Sequence, residues 1–251
     1  MSLASEIATR MPEPVRLAKR LAEQLACSRQ DAEQYILGGW VLVDGEVIEE
    51  PQFKILDQRV ELAKGAELAT PQPATILLHK PPLFDSAPDA GNPAARLLTA
   101  ASRWSGDDTG VRLLKRHFQH LVPVMPLERD AAGLLLLTQD PRLLRRMRED
   151  AMKLEQEFIV EVSGEIAPYG LRRLEHGLSF QGRGLAPCKV SWQNETRLRF
   201  ALKGVQAVQL VHMCGEVGLA VVSMKRIRIG RVPLAKIPVG EWRYVRDDER
   251  L

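Results

Sequence analysis

The sequence predicts an α+β protein made of a small N-terminal domain and a larger C-terminal domain. Three observations lead to this prediction. The chain opens with two helical patterns and a hairpin pattern, continues with the proline-containing segment T-P-Q-P-A-T, and then mixes strands and helices without strict βαβ alternation. We therefore expect a helix pair with a small sheet at residues 14–69, a linker at 70–75, and a mostly antiparallel central sheet within residues 76–251.

Composition describes an ordinary globular protein with an uneven charge distribution. Of the 251 residues, 45% are apolar and 27% are charged, which excludes a disordered or fibrous chain. Residues 1–74 carry 8 lysines and arginines against 12 acidic residues, a net charge of −4, whereas residues 75–251 carry 27 against 20, a net charge of +7. The positive field is therefore concentrated in the larger domain.

Several functional classes find no support in this sequence. Cys27, Cys188 and Cys214 are unclustered, which is typical of buried free thiols in a reducing compartment. The five histidines show no metal-ligand spacing, and neither a G-x-S-x-G elbow nor a glycine-rich phosphate loop occurs. No apolar run approaches the ~18 residues of a membrane span, and the N-terminus does not read as a secretory signal. We expect a cytoplasmic monomer without metal or cofactor.

The small domain is predicted to contain two helices and a hairpin. The first helix is predicted from leucines that recur every four residues: Leu17, Leu21 and Leu25. The second is predicted from a cap at Ser28 and an apolar inner face: Ala32, Ile36 and Leu37. Gly38-Gly39 ends this helix, the segment W-V-L-V-D-G-E-V-I alternates apolar residues around an Asp-Gly turn, and a further strand is expected at 59–62.

This domain resembles the small RNA-binding module named after ribosomal protein S-four, whose helix pair carries L-A-x-x-x-x-x-S-R-x-x-A-x-x-x-I-x-x-G-x-V-x-V-x-G. The matching residues are Leu21, Ala22, Ser28, Arg29, Ala32, Ile36, Gly39, Val41, Val43 and Gly45. The resemblance implies an RNA-binding face with four basic side chains: Arg16, Lys19, Arg20 and Arg29. An unrelated helix-hairpin unit is the alternative, and the net charge of −4 argues against strong binding, because phosphate neutralisation supplies most of the affinity.

The larger domain is predicted to begin with the strand I-L-L-H-K-P-P at 76–82, followed by a loop at 84–110 with one short helix around 94–101. Further helices are predicted at 141–150 and 168–176. Further strands are predicted at 133–138, 158–162, 189–192, 198–202 and 221–229. The first of these helices carries four arginines, which form either an RNA contact or a solvated face: Arg142, Arg145, Arg146 and Arg148.

The segment at 122–138 reads V-P-V-M-P-L-E-R-D-A-A-G-L-L-L-L-T. It resembles the signature loop of the RsuA/RluF branch of pseudouridine synthases, G-R-L-D-x-x-(S/T)-x-G-L-L-x-L-T. In an ungapped alignment on Gly133, the family's Gly, Arg and nucleophilic Asp fall on Met125, Pro126 and Glu128. The resemblance implies a pseudouridine-synthase domain with a central cleft. Glu128 then occupies the nucleophile's position with one extra methylene, and Pro126 lacks the charge of the family arginine.

Two further segments resemble the family and differ where the family meets its nucleotide. E-Q-E-F-I-V-E-V resembles E-K-E-Y-L-V-T-V, so that Phe158 stands for the stacking tyrosine and Gln156 for the lysine. V-Q-A-V-Q-L-V-H-M-C-G at 205–215 resembles G-x-N-R-Q-I-R-R-M-C-E and keeps Gln209. The family's asparagine and three arginines are replaced by Ala207, Val208, Val211 and His212. These replacements remove side chains suited to bidentate phosphate contacts.

The resemblance resumes at 225–243, where K-R-I-R-I-G-R-V-P-L-A-K-I-P-V-G-E-W-R follows the family's L-x-R-x-R-I-x-x-x-x-L-x-x-I-P-x-G-E-W-R nearly residue for residue. With this segment the similarity extends from residue 14 to residue 249. It implies RNA contacts in the larger domain at six positions: Lys80, Arg129, Gln209, Lys225, Arg226 and Arg228.

Three functions are consistent with these residues. The first is an RNA-binding relative of the RsuA/RluF synthases that binds structured, ribosomal RNA and has lost most or all uridine isomerisation. The second is an active synthase that uses Glu128 as nucleophile and Phe158 as stacking residue. The third is a protein-binding scaffold that no longer uses RNA.

Overall fold

The computed structural model describes residues 13–204 and 207–249, and the chain divides into two compact units, Met1–Gln72 and Pro73–Leu251. The division lies inside the segment T-P-Q-P-A-T that we expect to be a linker. Among the described residues, no helix is long and apolar enough to cross a membrane. The same residues contain no cluster of three or more side chains able to hold a metal ion.

The first unit consists of a helix pair beside two small antiparallel sheets. Its elements are β1 Val15–Arg16, α1 Leu17–Leu25, α2 Arg29–Leu37, β2 Val41–Val43, β3 Glu46–Val47, β4 Lys54–Ile55 and β5 Val60–Leu62. One sheet has the order β3-β2-β5, and the other pairs β1 with β4. The helices and sheets enclose one core: Leu17, Ala18, Leu21, Ala32, Ile36, Val41, Val43, Ile55 and Val60.

Local sequence signals explain the boundaries in this unit. The Ser28 hydroxyl accepts the N–H of Asp31 at 3.1 Å, and the Asp31 carboxylate accepts the N–H of Ser28 at 3.3 Å, which together form a capping box at the start of α2. Asp44 and Gly45 have φ values of 51° and 86°, so both central residues of the β2–β3 turn adopt the positive φ that a type I′ hairpin needs. The predicted helix pair and hairpin are confirmed.

The second unit contains one nine-stranded sheet, a separate two-stranded hairpin formed by the tenth and eleventh strands of the chain, and three helices among the described residues. The strands are β6 Thr75–Lys80, β7 Val122–Val124, β8 Ala132–Thr138, β9 Glu155–Ser163, β10 Ser179–Phe180, β11 Arg183–Gly184, β12 Lys189–Trp192, β13 Arg197–Lys203, β14 Ala220–Ile229, β15 Val232–Pro233 and β16 Trp242–Tyr244. The helices are α3 Pro141–Asp150, α4 Gly170–His176 and α5 Ala207–Gly215, with 3-10 turns at Ala94–Leu97 and Lys115–Phe118.

The large sheet has the strand order β12-β13-β9-β14-β8-β6-β16, with β15 beside β14 and β7 beside β8. Every pairing is antiparallel except that of β14 with β8, which is parallel. The prediction of an α+β domain on a mostly antiparallel sheet is therefore confirmed. The parallel pair lies at the centre of the sheet and joins β8, which follows the signature-like segment, to the C-terminal strand that resembles the family.

Helices α4 and α5 cover one part of the sheet. Leu174 of α4 and Leu210 and Met213 of α5 are at most 1% exposed and share a core with Phe158 and Phe200 of the sheet. A second core lies around β6, β8 and β16, and its aromatic residues meet edge to face, with ring centroids 5.2 Å apart for Trp242 and Tyr244. The first core packs against β9, β12 and β13, and the second packs against β6, β8 and β16. The two cores therefore lie toward opposite ends of the large sheet.

One predicted element is shorter than expected. The helix expected around 94–101 is a single 3-10 turn, Ala94–Leu97. The Thr99 hydroxyl accepts the N–H of Ser102 at 3.2 Å, and the Ser102 hydroxyl donates to the carbonyl of Leu97. These side-chain hydrogen bonds replace the backbone hydrogen bonds that a longer helix would make. The helical turn therefore ends before Thr99.

Candidate functional site

The loop between β7 and β8, residues 125–131, is tied to the preceding part of the chain. We call it the signature loop. The hydroxyl of Ser86 accepts the N–H of Leu127 at 2.9 Å and donates to its carbonyl at 2.7 Å. Met125 has a φ of 49°, and the N–H of Ala131 donates to the carbonyl of Glu128 at 3.1 Å. The loop is therefore a defined turn with Leu127 buried and Glu128 exposed.

Gly133 fixes how the signature loop enters β8. Its φ is 110°, and a Cβ at this position would lie 2.2 Å from the carbonyl oxygen of Arg226 and 2.6 Å from its nitrogen. Gly133 lies in the parallel pairing of β14 with β8, where Lys225 is opposite Ala132 and Arg226 is opposite Gly133. Because only glycine has no Cβ, this residue permits the close approach of the two strands.

A buried arginine joins the signature loop to two strands. Arg226 is 1% exposed, and its guanidinium donates to the carbonyl of Leu134 at 2.9 Å, to the side-chain oxygen of Gln156 at 2.9 Å and to the carbonyl of Met125 at 2.7 Å. Burial lowers the pKa of Arg226 to about 9, and the negative charge of Glu128 opposes this shift. These donors are directed at interior acceptors, and the RNA contact predicted at Arg226 stays a prediction.

A buried lysine holds the other end of the loop. Lys80 is fully buried, and its ammonium donates to the carbonyls of Phe84 at 2.7 Å and Arg129 at 3.1 Å, as well as to that of Pro81 at 3.1 Å. Burial lowers the pKa of Lys80 to about 8, against the opposing charge of nearby carboxylates such as Asp85. The Lys-Pro motif ends an interior strand and directs the ammonium under the loop, and the RNA contact predicted at Lys80 stays a prediction.

A cleft of about 460 Å³ opens beside the signature loop. Its lining residues are Met125, Pro126, Leu127, Glu128, Ala151, Met152, Gln156, Phe158, Gly204 and Arg226. The four positions at which the sequence departs from the family's catalytic loop and base-binding strand come together here: Pro126, Glu128, Gln156 and Phe158. The wall is largely apolar, and the polar groups on it are the side chains of Glu128, Gln156 and Arg226.

The carboxylate of Glu128 lies at the start of α5. Its Oε1 accepts the N–H of Val208 at 3.4 Å, a long hydrogen bond in the first turn of that helix. A negative charge at this end of a helix is stabilised by the unpaired N–H groups there. In the part of the chain that the structure describes, no lysine or arginine forms an ion pair with Glu128. Its direct partner is thus a backbone amide of α5.

Phe158 borders the cleft from the core side. It lies on β9 opposite Arg226 of β14 and Phe200 of β13, and it is 1% exposed. The ring belongs to the core that α4 and α5 cover. Only a small part of it is open toward the cleft, so in this conformation it contributes more to packing than to a stacking surface.

The remaining residues that were predicted to contact RNA differ in their exposure and in their ion pairs. Arg16, Lys19, Arg20 and Arg29 are exposed in the first unit, and Arg129 and Lys225 are exposed in the second. Arg228 is ion-paired with Glu155 and with Glu157, and these carboxylates raise its pKa against the opposing effect of burial. The RNA contact predicted at Arg228 stays a prediction. Gln209 is half-buried on α5.

Sequence reasoning did not find the network that supports the loop. Ser86 and Leu127 are 41 residues apart, and Arg226 and Gln156 are 70 residues apart, so no local pattern connects them. The one available signal was the change from the family's lysine to Gln156, since an amide oxygen can accept a hydrogen bond from a buried guanidinium and a lysine cannot.

Comparison with known proteins gives a family model that matches part of the first unit and relatives that align along most of the chain. Residues 15–58 match the S4 domain. The chain is 28% identical over 244 residues to the dual-specificity RNA pseudouridine synthase RluF of Escherichia coli K12, covering 94% of this chain and 77% of the relative. It is 29% identical over 241 residues to the ribosomal small subunit pseudouridine synthase A of Vibrio parahaemolyticus, covering 94% of this chain and 97% of the relative.

A solved structure has the same fold. The crystal structure of a pseudouridylate synthase aligns with 92% of this chain and 96% of its own, with a TM-score of 0.59 and 19% sequence identity. At that identity the likeness concerns the fold alone.

Proposed function

We propose that this chain, a member of the RluF/RsuA type of RNA pseudouridine synthases with an N-terminal S4 domain, binds structured ribosomal RNA in the cytoplasm as a monomer and has lost most or all uridine isomerisation. The observation that carries the proposal is the state of the nucleophile's position. Glu128 bonds a backbone amide of α5, and Pro126 stands where a positively charged partner is expected.

Two features of the cleft and one of the neighbouring helix α5 support a loss of activity. Glutamate places its carboxylate about one bond length further along than aspartate, and a misplacement on the order of 1 Å costs about a hundredfold in rate. The side-chain oxygen of Gln156 already accepts a hydrogen bond from Arg226. Val208 and Val211 stand where the family has arginines, so this part of α5 offers no cation to a phosphate.

RNA binding is supported by the first unit and by charge. The S4 match covers the helix pair, and four basic residues are exposed there: Arg16 just before α1, and Lys19, Arg20 and Arg29 on the helices. The larger part, residues 75–251, adds a net charge of +7, from 27 basic against 20 acidic residues. A net positive charge of this kind attracts RNA without requiring that the cleft be active.

An active synthase remains the competing function, and one observation favours it. Glu128 is exposed at the wall of the cleft that also holds Phe158 and Arg226, so a carboxylate does reach the expected location. Release of tritium from uridine-labelled ribosomal RNA separates the two functions. We expect no release by the wild type and none by Glu128→Asp, because groups that act as a unit are strongly non-additive and the other family side chains are still missing.

The matched control for this assay is Glu195→Ala, which removes an exposed carboxylate far along the chain on the β12–β13 turn. Turnover by the wild type that survives in Glu195→Ala and disappears in Glu128→Ala would establish Glu128 as a working nucleophile and overturn the proposed loss of activity.

RNA binding is tested by its salt dependence. The Lys19→Gln/Arg20→Gln double variant should bind ribosomal RNA more weakly and lower the slope of log affinity against log salt by roughly one unit for each phosphate that is no longer neutralised. Lys64→Gln, which neutralises another exposed lysine of the same unit, is the control. A wild type that does not bind ribosomal RNA at low salt contradicts the RNA-binding function, whatever the tritium assay gives.

A further inference from the structure

Helix α5 has an unusual solvent side. Its sequence, A-V-Q-L-V-H-M-C-G, contains no lysine, arginine, aspartate or glutamate. Leu210 and Met213 are buried on its inner side, yet Val208 and Val211 are also aliphatic and are 47% and 50% exposed. A surface helix normally carries polar residues outside, and one that is apolar on both sides is normally covered by another element.

A third exposed valine continues this apolar side onto the sheet. Val222 is 64% exposed and lies where the register of β14 against β9 shifts between Val221 and Ser223. The irregularity turns Val222 outward, since bulges redirect a side chain from the regular alternation of a strand. The three exposed valines border one groove of about 310 Å³, which we call the valine groove. Its lining residues are Glu128, Asp130, Ala131, Val208, Val211, Val221, Val222, Ser223 and Met224.

The charged residues that line the valine groove are both acidic. Glu128 and Asp130 are exposed at its rim, and the described residues lining it include no lysine or arginine. Arg129 and Lys225 are neighbours in sequence but do not line the groove. Phosphates would be repelled by the two carboxylates and would gain nothing from valine side chains. A peptide segment with aliphatic side chains and flanking positive charges would bury those side chains against the valines. Its positive charges would pair with the two carboxylates at the rim.

We propose that the valine groove is a docking site for a protein segment in which aliphatic side chains are flanked by lysines or arginines. The surface where the family carries arginines for RNA would then serve a protein partner in this chain. The inference does not rest on RNA binding elsewhere in the molecule, nor on whether the cleft is active. Its two components are separable: the valines supply apolar burial, and Glu128 and Asp130 supply the preference for positive charge.

Three short fluorescent peptides test the proposal in direct binding: alternating leucine and lysine, alternating leucine and glutamate, and alternating serine and lysine. We expect the leucine-lysine peptide to bind and the other two to bind at least about ten times more weakly, because each lacks one component. The Val208→Ser/Val211→Ser variant should weaken the leucine-lysine peptide by about ten-fold or more. Asp130→Asn should weaken it about two- to three-fold, and less at high salt.

The control is Val239→Ser, which makes the same substitution at a valine that is 62% exposed outside the groove. Thermal melting checks that every variant remains folded. Methyl NMR spectra of the valine-labelled protein should show peptide-induced shifts at Val208, Val211 and Val222 and not at Val239.

Four results would overturn the proposal. The leucine-lysine peptide does not bind, or it binds the double serine variant as well as the wild type, or the leucine-glutamate peptide binds equally. The fourth result is evidence that a different molecule occupies the valine groove. A dimer in sedimentation that Val211→Ser abolishes would assign the groove to a second copy of this chain, and a loss of RNA affinity confined to the double variant would assign it to RNA.

Discussion

The interior side and the cleft side of the signature loop are built in different ways. On the interior side, Lys80 and Arg226 are at most 1% exposed, and each donates to three acceptors at 2.7–3.1 Å. On the cleft side, Glu128 is exposed and accepts one N–H at 3.4 Å, while Pro126, two residues earlier, is exposed and has no charge.

This difference indicates which residues of a site can change independently of folding. Removing a buried cation leaves several carbonyls without donors, and each orphaned buried group costs about 1–3 kcal/mol. Changing an exposed residue on the cleft wall alters the chemistry and costs the fold little. The family pattern accordingly continues through Lys80, Gly133 and Arg226 and breaks at Pro126 and Val211. The interior frame of such a loop can therefore match the family pattern while the residues on its cleft side differ from it.

The largest loss of stability should come from a substitution where β8 and β14 pair below the signature loop. Gly133→Ala adds a Cβ that would lie 2.2 Å from the carbonyl oxygen of Arg226, so β8 and β14 cannot keep their pairing. We expect a loss of about 4 kcal/mol or more in the free energy of unfolding, measured by urea denaturation, because backbone strain adds to a clash that no side chain can relieve.

Gly182→Ala separates the clash from the backbone conformation. Gly182 also has a positive φ, 75°, but a Cβ there would meet nothing within 4 Å. It should cost only about 1–2 kcal/mol, the penalty for an L-residue in this region. Equal losses for the two variants would mean that the contact with Arg226 does not constrain the interior side of the loop.

The next effect concerns the pH dependence of the buried lysine. The folded-state pKa of Lys80 is about 8, below the ordinary lysine value of 10.5, so between these values the unfolded chain binds more protons than the folded one. Stability therefore rises with pH across this window. Relative to Lys80→Met, the wild type should gain up to about 3 kcal/mol in the free energy of unfolding between pH 8 and pH 10.5.

Lys203→Met is the control for this experiment, since Lys203 is exposed on β13 and its removal should leave the pH profile of the wild type unchanged. If the difference between wild type and Lys80→Met stayed constant from pH 8 to pH 10.5, Lys80 would be solvated in the folded protein, and the two sides of the loop would not differ as described.

Local signals in the sequence predicted most of the elements. The helix Pro141–Asp150 and the strand Lys189–Trp192 were predicted with the bounds that the structure has. In the helix, the Asp140 side chain accepts the N–H of Arg142 at 2.8 Å and a proline occupies the first turn, which are start signals readable in the sequence. The strand Val122–Val124 was missed, because Pro123 argues against a strand unless it lies at an edge.

The site was only partly predictable. The resemblance named Pro126, Glu128, Gln156 and Phe158, and the structure brings all four to one cleft. It could not say which basic residues face inward. The strand K-R-I-R-I alternates its side chains between two faces, and only the pairing partners decide that Arg226 is enclosed while its neighbour Lys225 is exposed.

The smallest predicted effect on stability tests whether the Glu128 carboxylate stabilises α5. A carboxylate beside the first turn of a helix contributes about 0.5 kcal/mol through the N-terminal amides. Glu128→Gln keeps an oxygen that can accept the N–H of Val208 but removes the charge, so it should lower the free energy of unfolding by about this amount at low salt and by less at high salt. Glu195→Gln, on an exposed turn, should change nothing. If Glu128→Gln were instead neutral or stabilising, the carboxylate would not support α5, and its retention on the cleft side would need a functional cause such as catalysis.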